Sequence, residues 1–347
     1  MFTTLLRTVA LAALVGALVI AYRLWWRASD EALVVYCAHD AEFAELVFTE
    51  FRRRTGIAVS VRYDSEATKS LGLVERLVAE GEHGPCDVFW NNEQLGTIAL
   101  DQRGLLAEYR GTGWQRMPPA WRQPDGHWSA FAARVRVMIV NTTHMSATTA
   151  AVRARLTGDL SRVAIAKPLF GTTLTHYSTL WSVLGSEPLR AWHHDIRARG
   201  VREVDGNGMV KALVAAGSCD LGFTDSDDYF SALDAGAPVA MIPARLADVS
   251  PNAGESTILI PNTVAIVRGA PHRSAAERLV DFLLSAEGEL LLARSPSRQI
   301  PLGPLDDTQL PNAVRELREA TKANTQIGDL SLAREQCLSW LKQEYTP

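Results

Sequence analysis

Cysteine is scarce and scattered: four residues in 347, with no Cys-x-x-Cys pair, so neither a zinc ribbon nor a dithiol redox motif is encoded. Cys37, Cys86, Cys219 and Cys337 leave two readings open, one or two disulfides in an oxidising compartment or four small buried hydrophobes. Basic charge is also short. Thirty-five Lys and Arg against 39 Asp and Glu give a net charge of −4 with no basic stripe, which argues against nucleic acid as a partner. The only basic triple, Arg52-Arg53-Arg54, ends an expected helix, where cations complement the dipole. Gly-x-Ser-x-Gly, His-Glu-x-x-His and the nucleotide-binding glycine fingerprint are all missing, and with them the enzyme classes those motifs mark. Repeats and low-complexity tracts are absent too.

The longest apolar run lies at the N-terminus. Thr8–Tyr22 followed by Arg23-Leu-Trp-Trp-Arg27 is short for a span, but Trp25 and Trp26 suit a membrane interface. No small-x-small cleavage site follows the run, so an uncleaved anchor over residues 8–26 is preferred to a removed signal peptide. Either way, the rest of the chain is expected outside the cytoplasm, periplasmic where an inner membrane supplies the anchor.

Over the 347 residues, 47% apolar and 21% charged composition supports a globular body large enough for two domains. Strands and helices alternate, as in an α/β protein with mostly parallel sheets. Leu33–Tyr36 and Ile57–Tyr63 read as strands around a helix over 41–55, stopped by Gly56. Ala132–Val140 and Ile258–Val267 are long apolar strands suited to crossing between lobes. The expected division is residues 1–32 as leader or anchor, 33–133 and 264–347 as one lobe, and 134–263 as the other.

Polar clusters fall at the C-terminal ends of successive strands, where open α/β sheets collect ligands. They are His39-Asp40, Asn91-Asn92-Glu93, Gly171-Thr172-Thr173, Gly206-Asn207-Gly208 and Thr224-Asp225-Ser226-Asp227-Asp228-Tyr229. Gly171-Thr172-Thr173 opens a helix after a short apolar run, so its amides and hydroxyls point at one spot and suit an anion. An ordinary Thr-capped turn has the same sequence. Thr224-Asp-Ser-Asp likewise fits an N-cap with an acidic first turn. His176, one turn into the Gly-Thr-Thr helix, faces either the cleft or its own helix surface. His83, His127, His144, His193 and His194 read as surface residues.

Val34-Val-Tyr-Cys-Ala-His39, Phe51-Arg-Arg-Arg-Thr-Gly-Ile57, Cys86-Asp-Val-Phe-Trp90, Ala133–Thr142, Gly171-Thr-Thr, Asn207, Pro261–Ile266 and Ala275–Leu283 occur in an order that resembles the periplasmic ferric-ion-binding proteins, a branch of the type 2 solute-binding proteins of ABC importers. That resemblance implies two α/β lobes on a hinge of crossing strands, a monomer, no catalysis, and partnership with an ABC permease and its ATPase. It implies His39 and Glu93 as metal ligands; where the family has its ligand tyrosines, carboxylates from Asp225, Asp227 or Asp228 together with Tyr229 are the chemical substitutes, and Asn92 and His176 are further candidates facing the cleft. Gly171, Thr172, Thr173, Arg134 and Asn207 are implied for the carbonate or phosphate that accompanies Fe3+. Glu93 sits one position later than the family's glutamate, and Thr-Asp-Ser-Asp-Asp-Tyr replaces the family's adjacent tyrosines. Carboxylates are hard oxygen ligands that suit ferric iron, though without the selectivity of a phenolate pair. A small oxyanion such as a phosphonate, bound without metal, is the alternative solute. A ligand sensor, or an enzyme on the same fold, is the alternative of another class.

Overall fold

The computed structural model describes residues 32–64, 71–250, 253–322, 324–325 and 330–346. The expected N-terminal helix lies outside them. Among the described residues, no helix is long and apolar enough to cross a membrane.

Eleven strands follow in chain order: β1 (Leu33–Cys37), β2 (Val59–Tyr63), β3 (Val88–Asn91), β4 (Leu106–Ala107), β5 (Ser129–Asn141), β6 (Val163–Ala166), β7 (Arg202–Val204), β8 (Leu221–Asp225), β9 (Val239–Pro243), β10 (Thr257–Val267) and β11 (Asn324–Thr325). The path β2-β1-β3-β10-β5-β8-β6-β7 runs through the whole molecule. β1 pairs in parallel with β2 and β3, and β6 in parallel with β7 and β8, which gives each lobe its own α/β sheet. The two long strands join them. Residues Ser129–Val135 of β5 pair antiparallel with β10, whereas Arg136–Asn141 pair with β8 and β9. β10 in turn pairs with β3. Both crossing strands are buried along their full length, which explains their high apolar content, interrupted by Arg134 and Arg136 on β5 and by Asn262 and Thr263 on β10.

The first helix, Ala41–Thr55, buries Phe43, Val47 and Phe51 on one face and ends at Gly56. Gly56 adopts φ 70° and returns its N–H to Arg52 O at 2.9 Å, a left-handed cap that suits a residue without Cβ. The C-terminal part of the chain is helical, Arg273–Leu283 followed by Ala286–Arg294, and Asn312–Ala320 followed by Ser331–Tyr345. Ser285 caps the second of these, its Oγ accepting from Gly288 N at 3.0 Å.

The chain's return is split between the lobes. Ala276, Leu279, Leu283 and Leu292 pack with Phe48, Phe51 and Trp90 of the first lobe. The Ser331–Tyr345 helix, expected there as well, instead sends Cys337, Leu338, Trp340 and Leu341 into the second lobe beside Leu174, Tyr177 and Trp181. Trp340 lies 5.7 Å from Trp181, ring centre to ring centre, an aromatic contact that sequence order could not reveal. His193, expected at the surface, is buried in this aromatic group with Tyr177 Oη 3.0 Å from its Nδ1. The four cysteines are unbridged and buried in four separate apolar clusters.

Candidate functional site

A cavity of about 260 Å³ lies between the lobes, walled by the starts of four helices. The first lobe supplies Asp40–Phe43, where the Ala41–Thr55 helix begins, together with Asn92. From the second lobe come Gly171-Thr172-Thr173, Gly206-Asn207-Gly208, and Asp225, Asp227 and Asp228 at the start of the Ser226–Asp234 helix. Each helix start presents amides without intrahelical acceptors and the positive end of its dipole. The arrangement follows from the sheets, because each of these helices leaves the C-terminal end of a parallel strand.

Arg134 and Arg136, alternate residues on β5, meet the acidic loop. Arg134 Nε lies 3.4 Å from Asp225 and 3.6 Å from Asp227, and its Nη2 donates to Asn92 O across the lobes. Arg136, fully buried, donates from Nη1 to Asp225 Oδ1 at 2.8 Å. The other oxygen of Asp225 accepts from Thr172 Oγ1 at 2.6 Å and Asn207 Nδ2 at 3.0 Å. Thr173 Oγ1 completes the group with a bond to Asn207 Oδ1 at 3.2 Å.

Charge is distributed unevenly among the three aspartates. Burial works against ionised Asp225, but Arg136 and Arg134 outweigh it and hold the carboxyl below its usual range. Asp227 goes the other way: burial raises it, Arg134 only partly opposes, and Asp228, Asp225 and Asp40 add to the rise. Asp228 is raised by burial despite Lys211, 3.4 Å away, and the Thr224 hydroxyl that donates to it at 2.5 Å.

His39, Asp40 and Asp227 each offer a ligand atom, all within 4.8 Å of one another. His39 is buried, its ring 5.4 Å from Trp90 and 5.8 Å from Phe43. An imidazole with two carboxylates is a donor set for a cation that accepts both nitrogen and oxygen. A second group, Asp101, Asp125 and His127, is more exposed, and its members are occupied with each other, His127 Nδ1 lying 2.6 Å from Asp101.

Several residues singled out in the sequence stand away from the cavity. Glu93 turns back to cap the Leu95–Gln102 helix, accepting from Gly96 N at 2.8 Å and Leu95 N, and receives Thr175 Oγ1 at 3.3 Å from the other lobe. Tyr229 packs beside Phe230, ring centres 5.0 Å apart, because cavity-facing Asp227, Asp228 and Ser231 leave it on the opposite side of its helix. His176 is buried beside Phe223 and Tyr177, and burial lowers its pKa to about 3, helped by Arg136. Asp40 and Lys211 enter the site without having been chosen as ligands. Lys211 sits four residues beyond Asn207 on one helix face, a spacing that could have flagged it.

A family model for bacterial extracellular solute-binding proteins matches residues 33–295. Iron uptake protein A1 of Synechocystis sp. is 25% identical over 262 residues, 72% of this chain and 70% of that protein. The Fe(3+)-binding periplasmic protein of Serratia marcescens is 25% identical over 61% of this chain and 62% of its own length. In three dimensions the chain is similar to iron-bound HitA from Pseudomonas aeruginosa, with a TM-score of 0.78, 19% identity, and coverage of 91% of this chain and 99% of that one. It is also similar to the apo ferric ion-binding protein A of Pasteurella haemolytica, with a TM-score of 0.76, 18% identity, and coverage of 90% and 97%.

Proposed function

Since the chain belongs to the bacterial extracellular solute-binding proteins, we propose that it is the extracytoplasmic receptor of an ABC importer and that its cargo is ferric iron held with an accompanying anion. A permease and its ATPase are then its partners, and it delivers solute without chemical change. The observation that carries this reading is the two-sided cavity. Asp40 and Asp227 line it and, with buried His39 beside them, bring together ligand atoms for a cation, while Gly171, Thr172 and Thr173 offer amides and hydroxyls suited to an oxyanion. The names of the iron-uptake and ferric-binding relatives point the same way.

The carboxylates differ in what they can contribute. Asp225 is already neutralised by two arginines, so its task is to hold Arg134, Arg136, Thr172 and Asn207 in place. Asp227, with burial favouring its neutral form, must release a proton when a cation takes its place. Binding to one lobe followed by closure of the other adds contacts available only in the closed form, and that difference drives closure.

One observation favours a phosphorylated or phosphonate solute without metal: cations and helix starts crowd the second lobe, and among the described residues buried Arg136 has no partner for Nε and Nη2. Elemental analysis of the purified protein, with phosphorus and organic analysis of the same sample, separates the two. Near-stoichiometric iron supports the ferric reading, and a phosphorus compound without metal rejects it. Asp227→Asn should weaken ferric binding by at least tenfold while leaving phosphate binding within a few-fold.

A further inference from the structure

A buried polar chain runs from the crossing strands to His39, and its direction is fixed at the far end. Asn262 lies fully buried where the register of β10 against β5 shifts between Pro261 and Asn262. Its Nδ2 donates to the carbonyl of Ala132, which can only accept. Trp90 Nε1 and Arg134 Nη1, which can only donate, both approach its Oδ1 at 3.4 Å. The amide has one orientation that satisfies all three. Asn262 Nδ2 also donates to Gln299 Oε1 at 2.7 Å, which turns Gln299 Nε2 towards His39 Nε2 at 3.1 Å. An amide NH₂ cannot accept, so His39 Nε2 must present its lone pair and the ring proton belongs on Nδ1.

The backbone around this chain is under constraint. Among the described residues, the two non-glycine positions at positive φ are Ala132, at 38°, and Arg298, at 45°, immediately before Gln299. Ile300, on the other side of Gln299, exchanges two backbone hydrogen bonds of 2.7 Å with Ala133 on β5.

We propose that Asn262 and Gln299 are positioning residues that set the tautomer of His39 and tie its imidazole to the strands about which the lobes turn. The only thing this takes from the ferric reading is that a cation binds at His39. A cation taking Nε2 displaces the Gln299 amide. A cation taking Nδ1 sends the proton to Nε2, where it confronts an N–H of Gln299, so the amide must turn and release Asn262. By either route, capture at His39 breaks a link to the hinge and makes uptake and hinge rearrangement a single event.

Long-range proton–nitrogen correlation spectra of the full, ¹⁵N-labelled, metal-free protein test the assignment directly. The expected wild-type pattern is protonated Nδ1 with Nε2 as acceptor. Gln299→Glu keeps an acceptor for Asn262 but faces His39 with a second acceptor, and should switch the proton to Nε2. A protonated Nε2 or an imidazolium in the wild type, or an unchanged tautomer in folded Gln299→Glu, overturns the proposal. The wild-type spectrum decides the matter even if the variant fails to fold. Because no metal is present, rejection of ferric iron as cargo would leave this result untouched, and the reverse holds too.

Discussion

Glu289 shows how much one side chain can hold. Fully buried, its Oε1 accepts from Ala132 N at 3.0 Å and Leu302 N at 2.7 Å, and its Oε2 from Gly303 N at 3.0 Å and Arg116 Nη1 at 2.8 Å. Glu289→Ala strands the three backbone donors, leaves Arg116 Nη1 with the Leu284 carbonyl, and should cost about 3 kcal/mol of unfolding free energy in a urea titration. His176 and His193 act in the opposite sense. Burial lowers them to about 3 and about 4, so neither takes a proton readily in the folded state. Once unfolded, each returns to an ordinary value near 6.5 and binds the proton the folded chain refuses. Stability should therefore fall as pH drops from about 6.5 towards 4, by up to about 1.4 kcal/mol per pH unit for each histidine. His176→Gln should flatten that slope in a pH series of denaturation curves. None of this was visible in the sequence, where both positions are histidines on helical segments with no sign of what packs over them. His39-Asp40 and Gly171-Thr-Thr were legible because strand ends in α/β sheets gather at one edge. The turn of Glu93 back onto the Leu95–Gln102 helix and the outward turn of Tyr229 were not, because the bend of a short connecting segment decides the first and rotation about a helix axis the second.

Elements set the site by how closely they approach. Gly222 on β8 lies under the Asn207–Ala215 helix, and a Cβ there would come within 2.4 Å of Val210 Cγ1 and 3.1 Å of Val214 Cγ2. Gly222→Val should push that helix off the sheet, carrying Asn207 and Lys211 with it. The expected outcome is a loss of about 1–3 kcal/mol in stability together with weaker solute binding by calorimetry. The alternation of strands and helices, and both crossing strands, could be read from period and apolar run length. The break between Leu283 and Ala286 could not, because the apolar spacing continues across it and only the Ser285 cap marks it. The last helix was misplaced for a different reason: chain order says when a segment returns, not which lobe its aromatic residues will find.

At the scale of the molecule, the two lobes are joined by a clasp outside the crossing strands. Thr175 Oγ1 in the second lobe donates to Glu93 Oε2 in the first at 3.3 Å. Thr175→Val keeps the shape and removes the donor, worth about 1 kcal/mol. Small-angle scattering of the solute-free variant should show a larger radius of gyration than the wild type, and solute affinity should fall roughly fivefold, since only the closed population binds at full strength. An unchanged profile would assign the balance between open and closed forms to the strands alone. Two lobes on a hinge were foreseeable from the order of motifs. The contacts that decide how tightly they shut were not, since Thr175 and Glu93 lie far apart in the chain.

The sealed thiols give each half of the protein its own clock. Cys37 and Cys86 sit in first-lobe clusters, and Cys219 and Cys337 in second-lobe clusters. Burial also pushes the Cys86, Cys219 and Cys337 thiols above their ordinary range, to about 12 for Cys337, which leaves little thiolate to react. An alkylating reagent can reach any of them only when the surrounding cluster comes apart. Peptide-resolved alkylation rates on the unmodified chain would therefore time the opening of one half against the other, with no engineered label.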